Sequence, residues 1–328
     1  TPENVAPRSK EVFWWLDPTT NQEFQRTVRD MCTRPPLPPC AQSSGGEREI
    51  YEFIKSFYSG EIIQHTRSVI APQEIDIYMP EIKVGVEFNG VYWHSEKNLP
   101  DKNYHRNKYL AAQQEGITLL MVWEDDYRRN PDLIKESIRS KMGFDNRPTI
   151  YARKTTVHRV SSDEAREFCS LHHVQGYTTG SYYLALKNGE GEIVAMSIWK
   201  KLGTELRLER YCTKPRVIGG LGKLLKEAKN IAVVESLASI TTFADLSTGY
   251  TGTYEKLGFD IEVNIKPDYK YVHKEKRVHK FNFRKHRFMS NPDLIFEHGM
   301  TEKELAELNG LYRIWDCGKI KYSLPVTG

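Results

Sequence analysis

Apolar positions recur at two periods along the chain, and the switches between them mark out its elements. Ile50, Phe53, Ile54 and Phe57 keep the three-to-four spacing of one helix face, which predicts a helix over 47–58. Residues 74–79 alternate and stop at Pro80, and residues 83–88 alternate again. Pro80-Glu81 turns one strand into the other, with Val84 and Val86 on one face and Gly85 and Glu87 on the other. A helix over 101–114 closes at Gly116, a continuous apolar run over 117–123 reads as a buried strand, and 130–142 is a closing helix with Pro131 in its first turn.

The pattern then starts afresh. A helix over 163–172 follows a cap at Ser161 or Ser162. Strands over 182–187 and 193–200 flank Asn188-Gly189-Glu190-Gly191, a strong hairpin signal. A strand over 206–211, the turn Gly219-Gly220-Leu221-Gly222, a helix over 223–230, a strand over 239–244, a short helix over 251–257 and a strand over 259–263 follow. Thr301-Glu302-Lys303-Glu304 is a capping pattern, and 312–322 reads as one strand. Strands and helices are mixed throughout, so the fold class is α/β (α+β).

At 328 residues the chain exceeds one ordinary domain. The breaks give an appendage over 1–46, a first domain over 47–148, a second over 149–272 and a basic C-terminal segment over 273–328. Hydrophobic residues at 39% and charged residues at 27% fit a globular protein and argue against wholesale disorder. No apolar run reaches the roughly 20 residues that cross a bilayer, so no membrane partner is expected. Residues 1–10 are polar and lack a signal-peptide core. Five scattered cysteines suit a reducing compartment, so a cytoplasmic location is expected. The net charge, 47 − 43 = +4, is small, but it is unevenly placed: residues 270–287 carry eight Lys or Arg against one Glu. Basic side chains neutralise phosphates, and the interleaved Tyr271, Phe281 and Phe283 suit base stacking. Lys274, Lys276, Arg277, Lys280, Arg284, Lys285 and Arg287 are therefore candidate DNA contacts. A solvated charged face is the bland alternative.

The first domain carries the densest chemistry. Asp76 and Glu87 fall near the ends of adjacent hairpin strands, where both can aim at one point. Hard carboxylate oxygens suit Mg²⁺. Alone, Asp76 would read as a solvent-facing acid, but Glu87 sits in an apolar strand and needs a partner or a metal. Glu47 adds a third acid on the preceding helix. His94 follows a glycine bend and can exchange a proton near neutral pH, while Trp93 reads as core. Lys102, His105, Arg106 and Lys108 crowd one helical segment and suit phosphate contacts.

These residues resemble, in order, the very short patch repair endonuclease branch of the PD-(D/E)xK nucleases, and within it phage-encoded, homing-endonuclease-like proteins. The matching text is Glu47-Arg48-Glu49-Ile50, Ile75-Asp76-Ile77-Tyr78, Glu87-Phe88-Asn89-Gly90-Val91-Tyr92-Trp93-His94-Ser95-Glu96, Asn103-Tyr104-His105-Arg106-Asn107-Lys108, and Gly116-Ile117 before Trp123-Glu124-Asp125. The resemblance spans about a hundred residues. It implies a PD-(D/E)xK-type nuclease core and a metal-dependent DNA endonuclease acting on double-stranded DNA. By position, Asp76 would hold Mg²⁺ or Mn²⁺ with help from Glu87, Glu47 would be the helix acid, and His94 would serve as general base. Asn89 stands where the motif's lysine belongs, so His105 or Lys108 would supply the missing proton or charge. One site per chain nicks as a monomer and cuts both strands as a homodimer.

The second domain resembles acetyltransferases of the GNAT class in its element order, in Arg216-Val217-Ile218-Gly219-Gly220-Leu221, and in Tyr254-Glu255-Lys256-Leu257-Gly258-Phe259. That class binds the acetyl-CoA pyrophosphate at such a turn, but Leu221 stands where a small residue belongs. The resemblance leads to an accessory DNA-recognition role. The alternative is a transferase that modifies DNA bases, with Asp245 and Tyr254 as its candidate residues and the nuclease-like domain as a DNA-binding module. The appendage resembles phage-type zinc ribbons, although Cys32 and Cys40 alone are two ligands short of a structural zinc site.

Overall fold

The computed structural model describes residues 5–6, 8–16, 23–33, 44–250 and 252–326. It has two units, Thr1–Ser56 and Phe57–Gly328. In the first unit, strands β1 (Val12–Leu16) and β2 (Glu23–Thr27) pair antiparallel, followed by helices α1 (Val28–Thr33) and α2 (Gly45–Lys55). Ser44 starts α2 with a reciprocal cap. Its hydroxyl accepts the Glu47 amide at 3.2 Å, and the Glu47 carboxylate accepts the Ser44 amide at 3.3 Å. Ile50 and Ile54 are buried, as their spacing predicts. Cys40 and the side chain of Cys32 lie outside the described residues, and so does the zinc-ribbon expectation.

The second unit opens with β3 (Ile63–Thr66), β4 (Ile75–Met79), β5 (Val84–Asn89), α3 (Tyr104–Gln114), β6 (Thr118–Trp123), α4 (Glu124–Arg129) and α5 (Pro131–Lys141). The strands form a sheet in the order β3-β4-β5-β6, antiparallel except for the parallel β5–β6 pair. β5 lies inside this sheet, and all six of its residues are buried. The two-faced pattern of a hairpin exposed on one side is thereby replaced.

The chain continues through β7 (Thr149–Tyr151), β8 (Thr156–Arg159), α6 (Ser162–His172), β9 (Tyr182–Lys187), β10 (Ile193–Leu202), β11 (Glu205–Thr213), β12 (Arg216–Ile218), α7 (Gly220–Val234), β13 (Ser239–Asp245) and β14 (Asp260–Ile265). It ends with β15 (Tyr269–His273), β16 (Lys276–His279), α8 (Lys285–Ser290), α9 (Glu302–Leu308), β17 (Tyr312–Trp315) and β18 (Lys319–Pro325). A seven-stranded sheet runs β14-β18-β13-β11-β10-β9-β8. Its core gathers Leu184, Leu186, Trp199, Leu206, Leu224 and Ile240 against α7.

Two sequence expectations change here. The helix over 251–257 is one 3₁₀ turn, Glu255–Leu257. The single strand over 312–322 is two strands, broken where Gly318 takes a left-handed φ of 84°. β17 joins a three-stranded sheet with β15 and β16, while β18 inserts between β13 and β14. The basic C-terminal segment thus ends as an inner strand of the large sheet. The first sheet also packs against this part of the chain, since Leu246 and Cys317 share a core with Ile117, Leu119 and Met121. Among the described residues no helix is long and apolar enough to cross a membrane.

Candidate functional site

Register builds the first polar cluster. Ile77 faces Val86 and Tyr78 faces Gly85 across the β4–β5 hairpin, which brings Asp76 alongside Glu87. The Asp76 amide donates to Glu87 at 3.2 Å, and the Phe88 amide donates to Asp76 Oδ2 at 2.7 Å. Helix α3 adds Lys108, whose ammonium ion-pairs with Glu87 Oε2. Glu87 is 2% exposed and Lys108 3%. Burial and the neighbouring Asp76 push the Glu87 carboxyl up to about 8, against the pull of Lys108. Burial also raises Asp76, opposed by Lys108 and the Phe88 amide. Burial works to lower Lys108, but Glu87, Tyr104 and Asp76 carry it above its ordinary value.

His94 and His105 sit beside this cluster, Nδ1 to Nε2 at 2.8 Å, with rings stacked at 5.0 Å. Burial, then Lys108, takes His94 down to about 4. Burial, His94 and Lys108 hold His105 well below its ordinary value. Both imidazoles are neutral at pH 7. The structure thus gathers Asp76, Glu87, His94, His105 and Lys108. Glu47 belongs to the first unit, where it serves the α2 cap.

Several expected roles are corrected. Glu87 is not placed as a metal ligand, because Lys108 and the Asp76 amide occupy its carboxylate. The residues near Asp76 that could hold a cation are His65 and Glu74. Lys108 is buried and Arg106 donates to the Ile265 and Cys317 carbonyls, so neither presents its charge to a phosphate. Arg277 bonds Asp125 at 2.7 Å and Asp126 at 2.5 Å, with a nearly buried side chain. Lys280 pairs with Asp268 at 2.5 Å and Arg284 with Glu302 at 3.3 Å. Lys102, Lys274, Lys276, Lys285 and Arg287 remain exposed. Trp93 is not core. It is 70% exposed, and Tyr92 beside it is 52% exposed. The two rings meet edge to face at 5.1 Å, and Lys97 lies over both Tyr92 and Tyr312. The interleaving of aromatic and polar residues in Tyr92-Trp93-His94-Ser95 could have signalled an exposed turn.

A second site forms where β11 and β13 part. They pair only from Glu205–Ser239 to Leu208–Thr242, although both strands run on. The opened ends border a cleft of about 320 Å³ lined by Glu209, Arg210, Phe243 and Asp245, with Asp316 and Lys319 across it. Asp245 therefore reaches the cleft, while Tyr254 packs between Tyr250 and Tyr322.

The glycine turn is engaged within the chain. Gly219 takes φ 76°, and a Cβ on Gly220 would meet the Tyr211 hydroxyl at 2.6 Å. The Leu221 amide donates to that hydroxyl, and the Arg216 amide donates to Pro148 at 3.0 Å. β12 also pairs in parallel with β7. Lys223 Nζ donates to the Ala152 carbonyl at 2.8 Å and to that of Thr155. A pyrophosphate needs free backbone amides and a free cation. The Leu221 and Arg216 amides and the Lys223 ammonium are spent inside the chain, and no step through acetyl-CoA is derived.

No family profile matches the chain, and no curated protein sequence does. Solved structures do. The ribosomal-protein-S18-alanine N-acetyltransferase of Escherichia coli is similar over 53% of this chain and 95% of its own, at 14% identity and a TM-score of 0.31. A Bacillus subtilis acetyltransferase solved with CoA matches over 53% and 100%, at 15% identity and 0.31. A GNAT family acetyltransferase of Elizabethkingia anophelis with acetyl-CoA bound matches over 52% and 98%, at 16% and 0.31. Each of these matches covers about half of this chain. The expected magnesium-dependent DNA endonuclease is withdrawn: Lys108 neutralises the carboxylate that was to share the metal.

Proposed function

We propose that the protein binds double-stranded DNA and uses its GNAT-like half as a scaffold for that binding. The observation that carries this reading is the exposed Tyr92–Trp93 pair with Lys97 over the Tyr92 ring. Two large aromatics left in water forgo about 1.5–3 kcal/mol of burial each, a cost that a binding surface recovers. A flat ring can stack on a base or enter a base step, and nearby cations hold phosphate. Lys97, over the Tyr92 ring, is such a cation, and Lys102, Lys274 and Lys276 are further exposed cations of the chain. The test is fluorescence anisotropy of a labelled duplex with the full chain and with Trp93→Ala. A stacked ring predicts a loss of about 1–3 kcal/mol, roughly 5- to 150-fold in affinity, with unchanged thermal stability. Equal affinity in the variant would remove the support for this reading.

A second reading, group transfer to a DNA base, is favoured by the opening of β11 and β13 around Asp245. Lys223, spent on the Ala152 and Thr155 carbonyls, opposes it. Calorimetric titration with acetyl-CoA separates the two: micromolar binding would favour transfer, and the absence of heat would leave the scaffold reading.

A further inference from the structure

We propose that His65, Glu74 and Asp76 form a site for a single divalent transition-metal ion, with Zn²⁺ preferred over Mn²⁺ and both over Mg²⁺. The site is independent of the DNA-binding reading and excludes Glu87. One ligand atom from each of the three residues lies within 4.8 Å of the others. His65 Nδ1 and Glu74 Oε1 are 3.3 Å apart, already near the ~3.4 Å ligand spacing of tetrahedral zinc. Asp76 completes the set within the same 4.8 Å span.

Backbone register explains why the three converge. Gln64 pairs with Ile77 and Thr66 with Ile75, so His65 lies level with Asp76 on the neighbouring strand. His65 holds a left-handed φ of 51° in a strand, which swings its ring out of the regular alternation. Glu74 sits just before β4, two residues from Asp76.

Outer partners fix the two carboxylates. Arg67 Nε donates to Glu74 Oε2 at 3.0 Å, and the Phe88 amide donates to Asp76 Oδ2 at 2.7 Å. Each carboxylate thus has one oxygen anchored, as second-shell partners anchor ligands in metal sites, and Glu74 turns its other oxygen to His65. One imidazole nitrogen and two carboxylate oxygens form a borderline donor set, which favours Zn²⁺ over Mn²⁺ and disfavours the all-oxygen preference of Mg²⁺. All three residues are half-buried, so solvent and an ion can reach them.

The test is calorimetric titration of the EDTA-treated full chain with ZnCl₂, MnCl₂ and MgCl₂, repeated with His65→Asn and Glu74→Gln. Asparagine tolerates the left-handed backbone at 65, and near-UV circular dichroism checks that each variant folds. One Zn²⁺ per chain, bound at least tenfold more weakly by either variant, is the expected result. Binding unchanged in both folded variants would place the zinc elsewhere, at the cysteines for example, and would overturn the proposal. So would no Zn²⁺ binding by the native chain, or a preference for Mg²⁺.

Discussion

The guanidinium carbon of Arg277 stands 4.3 Å from the ring centroid of Trp123, which turns a residue of the most basic stretch into a structural clamp. Its nitrogens reach Asp125 and Asp126 at the start of α4. Breaking a nearly buried ion pair from one side costs about 3–5 kcal/mol, because the other charge stays buried. Arg277→Ala should lower the urea midpoint accordingly and leave the salt dependence of DNA binding unchanged. Lys274→Ala, in the exposed β15–β16 turn, and Lys276→Ala, at the exposed start of β16, should do the reverse. Each should reduce the slope of log affinity against log salt by about 0.9 if its ammonium meets a phosphate. An altered slope only in the Arg277 variant would contradict this assignment.

The pair Glu87–Lys108 makes a second prediction. Both side chains are almost fully buried, and each is the other's main partner. Above pH 8, where Glu87 is ionised, Lys108→Met alone should cost about 3–5 kcal/mol, since the Glu87 carboxylate remains with only the Asp76 amide. Replacing both, with Glu87→Leu added, should cost less than the first change alone, because no buried charge is then left unpaired. Denaturant unfolding of the two singles and the double closes the cycle. A double variant as unstable as the sum of the singles would show that the pair is not the coupled unit described.

Much of this was readable in the sequence. Apolar alternation marks β4 and β5, the Asn188–Gly191 turn marks β9 and β10, and the density of acids and histidines points to Asp76, Glu87 and His94. What failed has a physical cause. Strand β3 carries Gln64, His65 and Thr66, so period-two hydrophobicity never marks it, and the His65 level with Asp76 stayed hidden. The basic segment looked like a DNA-facing run because sequence shows charge but not its partners. Asp125, Asp268 and Glu302, which absorb much of it, lie 152, 12 and 18 residues away along the chain. Trp93 was assigned to the core on hydrophobicity alone, yet a short turn after β5 carries it outward. The glycine turn reads equally as a phosphate cradle or as an ordinary strand–helix turn, because neither Tyr211 nor the β7 pairing leaves a trace in its local spelling.

Two neighbouring glycines of that turn should respond oppositely to alanine. A Cβ on Gly220 would lie 2.6 Å from the Tyr211 hydroxyl and 2.9 Å from Val217 Cγ1. Gly220→Ala should therefore destabilise by about 1–3 kcal/mol, the usual cost of overpacking. A Cβ on Gly222 would meet only Leu257 Cδ2, at an ordinary 3.5 Å. Gly222→Ala sits in the first turn of α7 and should stabilise by up to about 1 kcal/mol through helix propensity. Thermal unfolding of both variants reads the difference. Equal shifts would mean that Tyr211 does not hold the position described.

The histidine pair should tie stability to pH. In the unfolded chain each imidazole titrates near 6.5, whereas burial and Lys108 take His94 down to about 4 and His105 well below its ordinary value. Between pH 6.5 and about 4 the unfolded chain binds protons that the folded chain refuses, so stability falls as the pH falls through that window and is flat above it. Each histidine contributes a slope of at most about 1.4 kcal/mol per pH unit. Glu87 acts in the opposite sense. Its carboxyl is raised from 4.5 to about 8, so its own contribution is lost as the pH rises through that range. Comparing the native chain with the His94→Asn, His105→Asn double variant removes the Glu87 effect, because both proteins retain Glu87. Urea unfolding at half-unit steps from pH 4 to 8 should show a shallower acid limb in the double variant and parallel curves above pH 6.5. Identical acid limbs would mean that the two rings are protonated in the folded protein and that the neutral stacked pair is wrong.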